Sequence, residues 1–425
     1  MPKNETGLQM LDKLDKAASI DGKRLWDNLM RLAEIGATGR GGLNRQALTP
    51  DDNEAHRVLV TWARALGLSC FIDDIGNLFV RRKGVRDDAP PVMFGSHLDT
   101  QPTGGKFDGI YGVLAGFETL QTFEEAGLET KRPIELAIWA NEEGSRFLPG
   151  CMGSACYAAP DKLDEWLAIT DIEGTTVKEA VARYKAVLSD VECRPLGGAV
   201  AAFIEAHIEQ GPILETSGNT VGVVTGIQGA RDFRVRVLGE EAHAGTTPRS
   251  RRKDALRAAG AIAQALYASM DDADDQVRFT IGEFIVSPNS ASVVPGRVDF
   301  TIDFRNSDQE TLRRLGDRVE SICTEHVGPC RVEVKQIRWR EPATFAPQLP
   351  DLIGQAAERL GLAHMLIPSG ASHDAVNLQK ICPTGMIFVP CEGGLSHNEA
   401  ESAKPEDLAA GTRVMAQVVY QLAIA

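Results

Sequence analysis

Short apolar runs that end in polar residues recur along much of the chain. Four runs of strand length lie at 91–97, 134–140, 203–208 and 386–390, with shorter strand candidates at 70–73 and 78–82. Helices are predicted at 23–35, 50–66 and 113–126, the second with Thr49 as its cap and Pro50 in its first turn. Apolar strands alternating with helices predict an α/β fold with a mainly parallel central sheet.

The pattern changes between about Thr225 and Arg340. Residues 233–238 and 298–304 alternate strictly between apolar and polar positions, which is typical of strands with one exposed face. Two further helices are predicted at 252–270 and 309–326. We therefore predict a small α+β domain at 227–340, inserted into a larger domain formed by 1–226 and 341–425.

Composition narrows the classes of function. A chain of 425 residues with 43% apolar residues is long enough for two domains. The net charge of −14 argues against nucleic acid or an anionic membrane as the main partner. No apolar run approaches the roughly 18 residues that a membrane span needs, and the first residues lack an apolar signal core, so we predict a cytoplasmic protein. The eight cysteines are dispersed without a CxxC pair, which favours free thiols over a structural zinc site.

Five of the eight histidines lie in compact polar clusters, whereas His56, His326 and His364 are predicted to be surface or packing residues. In the first cluster, His97 and Asp99 are two residues apart at a strand end and point the same way. Such a carboxylate can hold one imidazole nitrogen while the other binds a metal, although this pair alone is weak evidence. Asp108 lies in a Gly-rich stretch, where it could bridge two metals or be an ordinary turn residue.

The remaining clusters supply more ligands. Glu142 and Glu143 follow an apolar strand, so one could bind a metal while the other acts as a base, unless the loop is simply solvated. His207 lies inside an apolar run, where a buried core histidine is the alternative, and His397 follows a Gly-Gly pair in a loop. Together the clusters offer three imidazoles and two carboxylates, the ligand supply of a two-metal hydrolase if Asp108 is shared.

The ordered motifs GSHLDT, KFDG, NEEGSRF, EAHIEQGP, HAGTTP, SGASHDA and LSHNEAE closely resemble those of the hydantoinase/carbamoylase amidases. This family includes N-carbamoyl-L-amino-acid amidohydrolases, β-ureidopropionases and allantoate amidohydrolases. It belongs to the wider two-zinc aminoacylase/carboxypeptidase superfamily. The resemblance implies a peptidase-like catalytic domain with a two-metal site and an inserted domain that serves as a lid and forms a homodimer.

The resemblance also assigns roles to residues. His97, Asp108 and His207 would hold one metal, and Asp108, Glu143 and His397 the other. Glu142 would be the general base and Asp99 would orient His97. The two divalent ions would be zinc, with manganese, cobalt or nickel as alternatives.

Substrate recognition is likewise implied by the resemblance. His243 would reach the active site of the partner subunit, and Arg305 would bind a substrate carboxylate. Gln210, Ser292, His373 and Gly394 would complete the substrate site.

Three departures from the family pattern concern that site. Ser292 replaces an Asn, Ser372 replaces a Gly, and Arg231 stands near a position that is aromatic in many relatives, where it would add an anion contact.

The sequence thus predicts metal-dependent hydrolysis of a linear amide, with an N-carbamoyl-L-amino acid as substrate and L-amino acid, CO2 and ammonia as products. Allantoate and N-acyl-L-amino acids are alternative small-molecule substrates. A ligand-binding relative without turnover is a more remote alternative, and the presence of Glu142 with all five ligand positions argues against it.

Overall fold

A computed structural model of the chain describes residues 7–272 and 276–425. Its helices are α1 (Gly7–Ala17), α2 (Gly22–Leu32), α3 (Pro50–Ala65), α4 (Ile110–Glu125), α5 (Met152–Ala158), α6 (Leu163–Leu167), α7 (Val177–Val187), α8 (Ile213–Ser217), α9 (Ala255–Met270), α10 (Gln309–Gly316), α11 (Val319–His326), α12 (Gln348–Arg359), α13 (Ala375–Leu378) and α14 (Pro405–Ile424). Its strands are β1 (Ser69–Ile72), β2 (Leu78–Arg82), β3 (Val92–His97), β4 (Ile134–Trp139), β5 (Glu192–Cys193), β6 (Ala202–Ile208), β7 (Val221–Ile227), β8 (Gly229–Leu238), β9 (Ala242–His243), β10 (Arg278–Thr280), β11 (Phe284–Ser287), β12 (Val293–Val294), β13 (Arg297–Asn306), β14 (Arg331–Arg340), β15 (Ala343–Thr344), β16 (His364–Ser369) and β17 (Thr384–Val389).

The chain folds into two compact units. The first comprises Met1–Thr225 and Phe345–Ala425, and the second comprises Gly226–Thr344. Within the second unit, Gly226 and Ile227 at the end of β7 pair with β15, so the outgoing and returning segments run side by side.

A parallel core of four strands forms the centre of the first unit's sheet. The order β17-β6-β3-β4 is parallel throughout, with β7 antiparallel beside β17 and β2 antiparallel beside β4. Beyond β2 the sheet continues through β1 to β5. The four central strands are buried along their whole length, so helices must cover both faces of the sheet. Helix α14 contacts α2, α4 and α12 in one group, and α5 contacts α13 in another.

Helix α4 packs unusually close to the sheet because two glycines face it. A Cβ added at Gly112 would lie 2.2 Å from the Ala206 carbonyl oxygen, and one at Gly116 would lie 2.6 Å from Leu136. Residues four apart share one face of a helix, so these two glycines form a smooth contact with β3, β4 and β6. The start of α4 is thereby held against the carboxyl ends of those strands.

The second unit is an antiparallel sheet with one covered face. Its strand order is β10-β13-β8-β14, with β11 also paired to β13. Apolar residues that alternate along β8 and β13 pack against α9, α10 and α11. The intervening positions carry charged side chains such as Arg234, Arg236 and Asp299.

Two sequence expectations for the second unit are wrong. The helix predicted at 309–326 is divided into α10 and α11, with a break at 317–318. Arg231 lies beside this break, where its guanidinium donates to the Arg313 carbonyl and pairs with Asp317 at 2.7 Å. Arg231 also donates to Gln336, so this buried side chain stabilises the interior of its own unit rather than offering an anion contact.

All eight cysteines are free thiols, as the sequence predicts. Among the described helices, none combines the length and the apolar character that crossing a bilayer would require.

Candidate metal centre

Side chains from four parallel strands converge at the carboxyl edge of the first unit's sheet. His97 is the last residue of β3, His207 lies one residue before the end of β6, and Glu142 and Glu143 follow β4 in a short loop. His397 lies in the loop after β17. Parallel strands end at the same edge of a sheet, so residues that are far apart in the sequence meet there.

One group of donors combines two imidazoles with a carboxylate. The ligand atoms of His97, Asp108 and His207 all lie within 4.8 Å of one another, and all three residues are buried. Asp108 Oδ1 lies 3.2 Å from His207 Nε2 and 3.9 Å from His97 Nε2. Nitrogen and oxygen atoms gathered in this way match the donor set of zinc and similar ions.

A second group uses the other oxygen of the same aspartate. Asp108 Oδ2 lies 3.3 Å from His397 Nε2, which is also 3.3 Å from Glu143 Oε2. These three ligand atoms again lie within 4.8 Å of one another. Because each oxygen of Asp108 faces a different group, this carboxylate is placed as a bridge between two cation sites.

Both buried histidines present their Nε2 atoms to Asp108. His97 Nδ1 donates to the carbonyl oxygen of Asp99 at 2.8 Å, and His207 Nδ1 donates to that of Ile208 at 2.9 Å. In the neutral ring the proton then resides on Nδ1, and Nε2 is the acceptor atom that would face a metal; Nε2 of His207 accepts the Gly109 amide at 3.1 Å.

Asp99 contacts His97 differently from the sequence prediction. Its carboxylate is 3.7 Å from His97 Nδ1, beyond hydrogen-bond distance, and the backbone carbonyl makes the contact instead. The carboxylate accepts the backbone N–H groups of Glu142 and Glu143, at 3.1 Å each. Asp99 therefore fixes the loop that carries the two glutamates.

The electrostatics of the cluster suit divalent cations. Burial alone would raise the pKa of Asp108, but hydrogen bonds from His207 and His397 outweigh it and hold that pKa well below its usual range. Hydrogen bonds to Asp108 and Glu143 raise the pKa of His397 to about 10. In the described part of the chain, Asp108 and Glu143 form ion pairs with histidines and with no Lys or Arg side chain. Bound metal cations would balance the negative charge of these two carboxylates.

Glu142 lies directly beside this cluster without joining either donor group. Its Oε2 is 3.4 Å from His97 Nε2, and the residue is buried. Burial, with further negative charge from Asp374, Glu143 and Asp99, raises the pKa of Glu142 well above its usual range. A buried carboxyl with this environment is suited to exchange a proton.

Several loop residues around the cluster have left-handed backbone conformations. Asn141, Cys151, Gln210 and His397 have φ values between 52° and 58°, where residues other than glycine are uncommon. Such strained conformations concentrate at functional sites, because the surrounding contacts must hold them in place. Three of these residues contact Asp108, Glu142 or Glu143 directly.

Gly109 sets the position of His97. It begins α4 with φ of 69°, and a Cβ added there would lie 2.3 Å from the His97 ring. Both the conformation and the close approach require glycine.

Three predicted substrate-site residues lie close to the cluster in the first unit. Gln210 Nε2 donates to Asp108 Oδ2 at 2.9 Å. Gly394 has φ of 65° and packs against Pro212, leaving no space for a side chain. His373 is buried and packs against His207, with the two ring centroids 4.5 Å apart. Its Nε2 lies 3.0 Å from Ser369 Oγ.

The other predicted substrate residues belong to the second unit. His243 and Ser292 lie together where β9 pairs with β12, and the Ala244 amide donates to the Ser292 carbonyl at 3.0 Å. His243 Nδ1 accepts the amides of Gly245 and Thr246, which places the proton of a neutral ring on Nε2. Arg305 lies on β13, where its guanidinium donates to both carboxylate oxygens of Asp303 at 2.9 Å.

Sequence reasoning missed two residues that hold the donors. Glu401 is buried and accepts the amides of Phe107 and Asp108, at 2.9 and 3.1 Å, and the Ser396 hydroxyl at 2.8 Å. Gln101 donates to Glu143 Oε2 at 2.8 Å. The signal for Glu401 was its place in the motif LSHNEAE, four residues after His397.

Comparisons with known proteins identify the family. Residues 93–421 match the family model described as peptidase family M20/M25/M40. An N-carbamoyl-L-amino-acid amidohydrolase of Rhizobium meliloti is 42% identical over 95% of this chain and 97% of its own length. An allantoate amidohydrolase of Escherichia coli is 33% identical over 93% of this chain and 97% of its own length.

A solved structure is similar over the same span. An amidase of the hydantoinase/carbamoylase family from Burkholderia multivorans is 43% identical, with a TM-score of 0.90 over 96% of this chain and 98% of that one.

Proposed function

Because the chain belongs to peptidase family M20/M25/M40 and, within it, to the hydantoinase/carbamoylase amidases, we propose that it hydrolyses an N-carbamoyl-L-amino acid to the L-amino acid, CO2 and ammonia. The observation that carries this proposal is the placement of Asp108, whose two oxygens face separate donor groups. A relative named for this reaction is 42% identical over nearly its full length.

Two divalent ions are the proposed cofactors. His97, Asp108 and His207 hold one, and Asp108, Glu143 and His397 hold the other. When bound, such ions supply Lewis acidity that polarises the amide carbonyl and makes water more acidic. Zinc is the proposed metal, with manganese, cobalt or nickel as alternatives that the same nitrogen and oxygen donors accept.

Glu142 is the proposed general base. Its carboxylate takes a proton from the attacking water and returns it to the leaving nitrogen, a role worth about 10²–10⁴ in rate. Two observations support this role. Glu142 is buried with its Oε2 facing the donor cluster, and it belongs to neither of the two groups of metal donors. Asp99 keeps Glu142 and Glu143 in register by accepting their amides.

The second unit is proposed to act as a lid and dimerisation domain, as expected for 227–340. His243 from the partner subunit donates its Nε2 proton to the oxyanion that develops on the amide carbonyl. Arg305 binds the substrate carboxylate through paired hydrogen bonds in place of Asp303. Gln210, Ser292, His373 and Gly394 complete the proposed substrate contacts.

Allantoate is the second candidate substrate, favoured by a relative of that name that is 33% identical. Ser292 and Ser372, the two serines at which the motifs of this chain depart from the family pattern, belong to the proposed substrate site rather than to the metal ligands. An N-acyl-L-amino acid would use the same chemistry with a different leaving fragment.

The test is ammonia release by purified protein reconstituted with zinc or manganese. The panel comprises several N-carbamoyl-L-amino acids, N-carbamoyl-β-alanine, allantoate and matched N-acetyl amino acids. We expect metal-dependent ammonia from a carbamoyl substrate. Ammonia from allantoate alone would replace the proposed substrate, and free amino acid from the acetyl series alone would overturn the carbamoyl assignment.

A further inference from the structure

The two carboxylate oxygens of Glu142 have different neighbours. Oε2 faces His97 at 3.4 Å, on the side of the metal donors. Oε1 points away from that side and accepts the thiol of Cys151, with Sγ 3.2 Å away. A Glu carboxylate rotates easily about its last torsion, so a single contact at Oε1 can select one orientation.

Cys151 is itself firmly held. Its amide donates to the Glu142 carbonyl oxygen at 2.8 Å, which ties it to the residue that its side chain contacts. Its own carbonyl oxygen accepts Ser154 Oγ at 3.2 Å and Asn377 Nδ2 at 3.4 Å. The residue is buried, it adopts φ of 52° at the start of α5, and its sulfur lies 3.7 Å from Ser372 Oγ.

We propose that Cys151 is a positioning residue for Glu142, whose S–H group donates to Oε1 and keeps Oε2 directed at the metal donors. This inference rests on the proposed function, since it assumes that Glu142 is the general base. It assigns a role to a cysteine that neither binds metal nor attacks substrate.

The neighbouring Cys156 provides a matched comparison. It lies in α5, which Cys151 immediately precedes, and is completely buried, yet within residues 7–272 and 276–425 its sulfur has no described hydrogen bond to the metal centre. Replacing Cys156 therefore measures the cost of losing a buried thiol from α5, without any effect on Glu142.

The kinetic test compares Cys151→Ala, Cys151→Ser and Cys156→Ala on the substrate that the wild type hydrolyses best. We expect kcat of Cys151→Ala to fall about two- to tenfold, the range of a single hydrogen bond, with KM and zinc affinity unchanged. Ser restores a donor at the same place and should recover part of the loss. Equal kcat values for Cys151→Ala and Cys156→Ala would overturn the proposal, as would a loss that Cys151→Ser does not relieve.

An infrared measurement tests the contact without any turnover. The difference spectrum between wild type and Cys151→Ala isolates the S–H stretching band of this one thiol. Replacing Glu142 by Ala removes the acceptor, so we expect the band to move toward the position of a free thiol. An unchanged band would overturn the contact. If the wild type hydrolyses nothing in the panel but the band shifts, the proposed function fails while the hydrogen bond stands.

Discussion

Asp108 is the residue on which both donor groups depend, because each of its oxygens faces different imidazoles. Its position is held by three neighbours rather than by its own loop alone. Glu401 accepts its backbone amide, while Gln210 Nε2 and Ser396 Oγ lie 2.9 and 3.2 Å from its Oδ2. A shared carboxylate needs this support, since a small rotation of the Asp108 carboxylate would move both oxygens out of position for their donor groups.

Replacing Glu142 by Gln should abolish most of the activity. The amide is nearly the same size but cannot accept a proton, so kcat is expected to fall by about 10²–10⁴ while KM changes little. Steady-state kinetics on the best substrate provide the measurement. The exposed Glu165 on α6 offers a control, and Glu165→Gln should keep full activity. A fully active Glu142→Gln variant would contradict the assignment of the base.

Replacing Glu401 by Gln should weaken metal binding. The amide keeps one oxygen, and its NH2 group cannot accept in place of the other, so either the Phe107 and Asp108 amides or the Ser396 hydroxyl loses its acceptor. Loss of such outer contacts typically costs about 10- to 100-fold in metal affinity. Competition with a chromophoric zinc chelator measures the change.

The exposed Glu392 in the loop after β17 supplies the matched control for that experiment. Glu392→Gln should leave zinc affinity at the wild-type value. Equal affinities for Glu401→Gln and the wild type would show that Glu401 does not position Asp108.

At the scale of elements, the start of α4 decides the geometry of the centre. Glycines on its inner face allow the helix to approach the sheet, and Asp108 and Gly109, which immediately precede its first residue, lie at the strand ends. His97 then lies against Gly109, where no side chain could fit. The close packing of α4 on the sheet therefore also determines where Asp108 and His97 lie.

Replacing Gly109 by Ala should damage both stability and metal binding. The left-handed conformation alone costs about 1–2 kcal/mol for a residue with a Cβ, and the added methyl would displace the His97 ring. Thermal unfolding and zinc titration measure the two effects.

Substitution of Gly260, on another helix, is expected to have the opposite effect on stability. It lies in the interior of α9 with open space around it, so Gly260→Ala should raise stability by about 0.5–1 kcal/mol. A Gly109→Ala variant as stable as Gly260→Ala, with unchanged zinc affinity, would refute the role assigned to Gly109.

At the scale of the whole molecule, metal binding should stabilise the folded state. At free zinc of about 100 times Kd, binding adds about 2.7 kcal/mol to the free energy of unfolding. Treatment with a chelator should therefore lower the melting temperature and remove activity, and zinc should restore both. His397→Ala lacks one ligand and should show a smaller shift, whereas equal shifts would exclude His397 from the site.

Dimerisation makes a separate prediction about His243. If it acts on the partner subunit, Glu142→Gln and His243→Ala chains should be inactive alone but complement each other after co-refolding. Random pairing gives half heterodimers with one intact site each, so about a quarter of wild-type activity is expected. The control mixes Glu142→Gln with His397→Ala chains. Both of these residues act in the site of their own subunit, so each site of the heterodimer is defective and no activity should return. A monomer in sedimentation analysis, or no complementation, would contradict the proposal.

The fold class and the family were predictable because they depend on local patterns. Apolar runs at 134–140 and 203–208 are fully buried strands, so their continuous hydrophobicity predicted a parallel core, and that α/β class is confirmed. The amidase family is confirmed by relatives that align over almost the whole chain. The helix break at 317–318 was missed because the apolar period continues across it, from Leu312 and Leu315 to Val319 and Ile322.

By itself, then, the sequence determined which strands are buried, where polar residues follow them, and which side chains can serve as ligands or a base. Periodicity and strand-end position carry that information along the chain. Only the tertiary structure decided how the two oxygens of Asp108 are divided, that the Asp99 carboxylate accepts the amides of the glutamate loop, and that Cys151 Sγ contacts Glu142 while Glu401 accepts the Asp108 amide. Those contacts join segments far apart in sequence, and their geometry exists only once the sheet brings the strand ends together.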